Sequence, residues 1–139
     1  RNDAGAMIGT VAAAGGRKGA RRMSGSVLPV DLAAVLGRLN GDRELLAELA
    51  VLYLEDEPSL IAELEAAVGR GDAEATRRAA HAIKGSVANF AAAPAQAAAL
   101  ALENAGRGGE LSSAPALLDT LRTELAAVRQ ALSNLAAGR

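Results

Sequence analysis

A histidine, a lysine and a glycine lie close together in the short stretch "AAHAIKGSVANF". His81 is the one histidine of the 139 residues, and Lys84 and Gly85 follow it by three and four positions. On an α-helix these spacings place Lys84 and Gly85 on the face that carries His81. Arg77 and Arg78, four and three positions earlier, share that face. The pattern predicts an imidazole surrounded by positive charge.

The opposite face of the same predicted helix is apolar. Ala79, Ile83 and Phe90 fall on it, and they are the expected core contacts. Ser86 falls on that side as well, away from the imidazole. We therefore expect His81 to point outward from a helix that is anchored by its far side.

Few reactions suit a solitary, outward-facing histidine. A metal site needs several ligands, and the chain has no second histidine and no cysteine. A hydrolytic triad needs a hydroxyl or thiol nucleophile held against the ring, and Ser86 points the wrong way. Imidazole can act alone as a nucleophile toward a reactive phosphoryl group. The product carries roughly two negative charges, which Lys84, Arg77 and Arg78 are placed to neutralise.

Gly85 fits the same interpretation. Glycine inside a helix costs about 1 kcal/mol relative to alanine, so its presence calls for a reason. Beside His81 it leaves room for the acidic pocket of a partner protein, and phosphoryl transfer needs donor and acceptor nearly in line. Tight packing against a neighbouring helix is the alternative explanation.

Apolar spacings of three and four predict that helices position this face. A leucine-rich seam at 111–135 has the cleanest period, and Pro58 should kink the long helix that precedes the histidine helix. The sequence predicts an all-α fold, an up-and-down antiparallel four-helix bundle with a short extra N-terminal helix packed across one end. The expected helices are 31–39 with Asp31 as cap, one from Asp42 to Val68, 73–92 with Asp72 as cap, one from Pro94 to about 106–109, and 111–135.

Charge and composition divide the chain in two. Residues 1–26 hold five cations, one acid and six of the 15 glycines, and we interpret them as a flexible leader or linker. Residues 27–139 form the predicted domain, which holds 10 cations and 15 acids. A domain of this charge is not expected to bind nucleic acid through a broad basic face. No apolar run reaches the roughly 20 residues of a membrane span, and the lack of cysteine fits a cytoplasmic protein.

The run His81-Ala82-Ile83-Lys84-Gly85-Ser86, followed by Phe90-Ala91-Ala92, closely resembles the histidine-containing phosphotransfer (HPt) family. The likeness extends from about Val30 to Leu135. It includes the acidic stretch "LEDEPSLIAEL" and the "ALE" at 101–103. The resemblance implies a four-helix bundle that accepts a phosphoryl group from the aspartyl-phosphate of one receiver domain and passes it to another.

The same resemblance implies a role for each site residue. His81 would be phosphorylated, Lys84 would stabilise the phosphate, and Gly85 would let the receiver approach. Arg77 and Arg78 would give electrostatic support. The expected protein is a monomeric phosphohistidine carrier without an ATP site or cofactor of its own, and Mg²⁺ would belong to the receiver partner.

Two alternatives remain open at the level of sequence. One is the histidine-bearing first domain of a chemotaxis-type kinase, which is phosphorylated from ATP by a separate kinase domain. The other is a helical adaptor that binds partners without chemistry, in which His81 is incidental.

Overall fold

The computed structural model describes residues 28–138, and within them it consists of five α-helices with no strand. The all-helical class predicted from the sequence is confirmed. The predicted leader at 1–26 lies outside the described residues. None of the helices in the described range is long and apolar enough to cross a membrane. The helices are α1 (Leu32–Arg38), α2 (Arg43–Gly69), α3 (Ala73–Ala88), α4 (Ala93–Gly108) and α5 (Ala114–Ala137).

Three aspartates begin the first three helices, as predicted. Asp31, Asp42 and Asp72 each accept a hydrogen bond from the backbone amide three residues later, at 3.0, 2.9 and 3.0 Å. Each bond satisfies one of the amides that a helix N-terminus leaves without an intrahelical partner. The caps therefore fix where α1, α2 and α3 start.

The four long helices pack as a closed set. In the described residues α3 contacts α2 and α4, and α5 contacts the same two helices. Their apolar stripes meet in one core built almost wholly from aliphatic side chains. The chain's two aromatic rings, Tyr53 and Phe90, lie in it edge to face with centroids 5.7 Å apart. The other large core side chains include Leu46, Leu64, Ile83, Leu102, Leu121 and Leu132.

Two helix ends differ from the sequence-based expectation. The prediction that the histidine helix runs to Ala92 is wrong, because α3 ends at Ala88. Ala91 has a left-handed φ of 50°, which a right-handed helix does not accommodate, and Phe90 turns into the core. The last helix begins at Ala114 rather than at 111.

The other helix boundaries follow the expected signals. Pro94 lies in the first turn of α4, where its missing amide is of no consequence. α4 ends at Gly108, and Gly109 adopts the left-handed φ of 75° that favours glycine. α2 runs from Arg43 to Gly69 as one helix with Pro58 inside it, and the kink expected at Pro58 stays a prediction. These boundaries set the lengths of α3 and α4, the two helices that carry the candidate site.

Candidate functional site

His81 projects outward from the middle of α3. Its side chain is 63% exposed, while Ala80, Ile83 and Val87 on the same helix are almost completely buried. The far side of α3 is thus fixed in the core, and the near side presents the imidazole to solvent. This is the orientation that the helical spacing predicted.

A buried glutamate on α4 forms a hydrogen bond with the imidazole of His81. Glu103 is only 2% exposed, and its Oε2 lies 3.0 Å from Nδ1 of His81. Its other oxygen, Oε1, forms an ion pair with Nζ of Lys84 at 2.7 Å. Arg107, one turn further along α4, donates from Nη2 to Oε2 at 3.0 Å. One carboxylate therefore joins His81 to two cations.

The surrounding positive charge keeps this carboxylate ionised. The pKa of Glu103 is lowered from 4.5 to about 2, chiefly by the Lys84 ammonium and further by His81, although burial opposes the shift. An ionised carboxylate can only accept hydrogen bonds. The hydrogen between Glu103 and His81 must therefore be on Nδ1 of the imidazole. This assignment follows from the hydrogen-bond pattern.

The tautomer determines which ring nitrogen can react. A neutral imidazole with its proton on Nδ1 has a free lone pair on Nε2. That nitrogen is the one farther from the backbone, and it belongs to a side chain that is largely exposed. The arrangement thus presents an oriented nitrogen nucleophile at the surface.

Lys84 and Gly85 flank the imidazole as the spacing predicted. The Lys84 side chain is 30% exposed, and its ammonium is held on Glu103. Gly85 is exposed, and apart from its chain neighbours and the backbone of its own helix no described heavy atom lies within 4 Å of a Cβ built at this position. Packing against a neighbouring helix therefore does not explain this glycine.

Arg77 and Arg78 are engaged elsewhere. Arg77 donates from Nε and Nη2 to Glu74 at 3.0 and 2.6 Å. Arg78 donates to the same carboxylate at 3.4 Å. Glu74 shares their helix face and neutralises part of their charge, and it raises the pKa of Arg77. The structure thus brings Lys84 to the His81 cluster and directs both arginines to Glu74.

The sequence model of the Hpt domain family matches residues 48–131 of this chain, which include all of α3 and α4. The chain belongs to the Hpt domain family. Hpt domains are histidine phosphotransfer intermediates in phosphorelays, and this is the functional class of the protein. No curated protein sequence matches the chain.

A solved structure supports the same assignment. The Hpt domain is similar to histidine-containing phosphotransfer protein B (HptB) from Pseudomonas aeruginosa PAO1, with a TM-score of 0.75 and 28% sequence identity. The match covers 82% of this chain and 99% of that chain. The likeness thus extends over nearly the whole of the solved protein.

Sequence reasoning missed two residues that the structure places in the His81 cluster, Glu103 and Arg107. Glu103 closes the "ALE" run, which counted only as part of the family likeness. A signal was present, because Glu103 lies among the buried positions Ala99, Leu102 and Gly106 of α4. A carboxylate on an apolar helix face needs a partner, since an unpaired buried charge is costly. Which partner it finds depends on how α3 and α4 pack.

Proposed function

We propose that Nε2 of His81 is the atom that carries the phosphoryl group. Nε2 attacks the phosphorus of a receiver's aspartyl-phosphate, the bond between phosphorus and the aspartate oxygen breaks, and the first receiver recovers its carboxylate. A carboxylate of a second receiver then attacks the phosphorus, and the nitrogen–phosphorus bond breaks. The observation that carries the proposal is the 3.0 Å contact between Nδ1 and Glu103, which in the neutral ring leaves Nε2 without a proton on a largely exposed side chain.

Glu103 serves both halves of this exchange. Before transfer it holds the proton on Nδ1, so that Nε2 has a lone pair to donate. After transfer the ring is substituted at Nε2, and Nδ1 still donates to the same carboxylate. The buried position of Glu103 keeps the ring in one orientation throughout. Glu103 acts through His81 and is therefore a positioning residue.

Two cations are placed to compensate for the incoming charge. A phosphoryl group adds close to two negative charges beside the ionised Glu103. Lys84 lies one turn from His81 on the same face, and Arg107 contacts the very oxygen that His81 contacts. We assign phosphate stabilisation to Lys84 and a supporting role to Arg107. Arg77 and Arg78 contribute less, because Glu74 already pairs with both.

Gly85 has a role toward the partner rather than toward the phosphate. Its exposed position beside Lys84 leaves the flank of His81 without a side chain. A receiver pocket can then approach close enough for in-line transfer. The Mg²⁺ that such a pocket uses would belong to the receiver. We also propose, as the sequence predicted, that the protein is a cytoplasmic monomer without an ATP site of its own.

We further infer the finer architecture, an up-and-down antiparallel bundle with α1 across one end. Short connections join neighbouring helices, which favours antiparallel pairs. The backbone amide of Asp31 donates to the carbonyl of Phe90 at 3.2 Å, and Arg38 donates to the carbonyl of Ala88 at 3.3 Å. Both contacts tie α1 and its cap to the turn between α3 and α4. Such a turn lies at one end of a bundle.

Phosphate transfer from a labelled receiver tests the function. Receivers phosphorylated on aspartate are incubated with the chain, and acid-labile phosphate is measured on it. We expect labelling of the natural chain and of Arg78→Gln, and none of His81→Gln, with unchanged far-ultraviolet circular dichroism in all three. Absence of labelling with several competent receivers would favour the adaptor alternative. Labelling only by a kinase domain with ATP would favour the chemotaxis-type alternative.

A further inference from the structure

Gly106 marks a very close approach between α3 and α4. The residue is buried, and a Cβ built on it would lie 2.6 Å from the carbonyl oxygen of Ala73. The same Cβ would lie 2.7 Å from the amide nitrogen and 3.0 Å from Cα of Arg77. Atoms in ordinary contact lie about 3.5–4.0 Å apart. All three neighbours are backbone atoms, so no side chain can rotate away to make room.

Backbone conformation does not explain the glycine at 106. Gly109, at the end of α4, has a left-handed φ of 75°, whereas Gly106 lies inside the helix and is not among the residues with positive φ. In that position glycine destabilises a helix relative to alanine. The close approach of α3 is therefore the feature that requires it.

The close approach lies beside the Glu103–His81 contact on both helices. Glu103 precedes Gly106 by three residues on α4, and Arg77 precedes His81 by four residues on α3. Residues three and four apart lie on one helix face in consecutive turns. A change in the separation of α3 and α4 at Gly106 therefore also changes the distance between Glu103 and His81.

The hydrogen bond at the site tolerates little displacement. Nδ1 of His81 and Oε2 of Glu103 are 3.0 Å apart, near the middle of the range of about 2.7–3.2 Å for such bonds. A methyl group at position 106 needs roughly 1 Å more room to reach ordinary contact. Helices separated by that amount would take the carboxylate out of hydrogen-bond range.

We propose that Gly106 is a positioning residue for phosphotransfer: by letting α4 approach α3, it brings Glu103 to Nδ1 of His81 and so fixes the tautomer with Nε2 free. The proposal rests on the function proposed for His81. A larger residue at 106 leaves the imidazole exposed but without its acceptor. The proton then moves between the two nitrogens, and Nε2 is blocked in part of the molecules.

Nitrogen-15 NMR of the imidazole tests this directly, and the signals are unambiguous because His81 is the one histidine of the chain. Spectra of the full chain at about pH 9, where imidazole is neutral, show which nitrogen carries the proton. We expect protonated Nδ1 and unprotonated Nε2 in the natural chain. In Gly106→Ala, as in Glu103→Ala, we expect a mixture in which the proton is shared between Nδ1 and Nε2. Gly108→Ala is the matched control, since a Cβ there meets no described atom within 4 Å beyond its chain neighbours and its own helix backbone.

Three outcomes would overturn the proposal. The first is a folded Gly106→Ala chain that keeps the natural tautomer while Glu103→Ala loses it. The second is a Gly108→Ala chain that shifts as much as Gly106→Ala. The third is a Gly106→Ala chain that does not fold even in trimethylamine N-oxide, which strengthens burial, because the glycine then serves assembly of the helices as a whole. The tautomer readout needs no receiver, so failure of phosphotransfer in every chain counts against the proposed function alone.

Discussion

Nδ1 of His81 and Oε2 of Glu103 lie 3.0 Å apart, although the first belongs to an exposed side chain and the second to a buried one. The pairing joins two different requirements of a phosphoryl carrier. The reacting nitrogen must reach solvent so that a partner can approach it. The ring must also be held in one orientation, which a side chain fixed in the core does better than a mobile surface residue.

Removing the acceptor of that hydrogen bond should slow phosphorylation without blocking access. We expect Glu103→Ala to react roughly ten- to a hundredfold more slowly with the small donor phosphoramidate, since a hydrogen bond to a charged group is worth about 1.5–3 kcal/mol. The rate of phosphohistidine formation is followed by phosphorus NMR. Glu55→Ala, which removes an exposed glutamate on α2, is the control and should react at the natural rate. Equal rates for both variants would contradict the positioning role.

Acid should destabilise the protein through the same carboxylate. The pKa of Glu103 in the folded chain is about 2, below its ordinary 4.5, so the unfolded state binds a proton more readily than the folded state. The stability that Glu103 contributes is therefore present above about pH 4.5 and is lost as the pH falls toward 2. Urea unfolding at a series of pH values measures the free energy of unfolding across that window.

Glu103→Gln provides the comparison for the acid titration. The amide keeps the size of the side chain but cannot titrate, so the free energy of unfolding should fall less steeply between pH 4.5 and 2. The other acids of the chain titrate in both proteins and cancel in the difference. An identical slope for the two proteins would show that Glu103 is not the group responsible.

Lys84 and Arg78 look alike from the sequence but should behave differently. Lys84 forms an ion pair with Glu103, whereas Arg78 pairs with Glu74 away from the ring. We expect Lys84→Ala to slow transfer from a receiver or to shorten the lifetime of the phosphohistidine, while Arg78→Ala leaves both unchanged. Circular dichroism should show both variants folded, since both side chains are partly exposed. Equal kinetics for the two would remove the role assigned to Lys84.

Features fixed by nearby residues were predictable from the sequence. The starts of three helices are predictable from their capping residues Asp31, Asp42 and Asp72, because a cap and the amide it binds are only three residues apart. The outward position of His81 follows from helix geometry together with the apolar residues on the opposite face, such as Ile83. Both signals depend on spacing within one helix.

Features that depend on competition between contacts were not predictable in the same way. Arg77 lies on the histidine face, and Glu74, three residues earlier, shares that face as an alternative partner for its guanidinium. The spacing does not decide whether Arg77 pairs with Glu74 or turns toward His81. The end of α3 depends on a left-handed φ at Ala91. Alanine as a residue type does not indicate this conformation, so the sequence does not predict it. The link between Glu103 and His81 spans two helices, so it becomes visible only once their packing is known.

Variants of Gly85 test the access of a partner protein separately from the chemistry of the His81 ring. Apart from its chain neighbours and the backbone of its own helix, no described heavy atom lies within 4 Å of a Cβ at this position. Gly85→Ala should therefore fold and gain up to about 1 kcal/mol of stability, because alanine is the better helix former. Gly85→Leu should react normally with phosphoramidate but accept phosphate slowly from a receiver, whose pocket meets the added side chain. Gly69→Leu, also in open space, is the matched control. A Gly85→Leu chain that exchanges phosphate with receivers at the natural rate would show that the clearance has no role in docking.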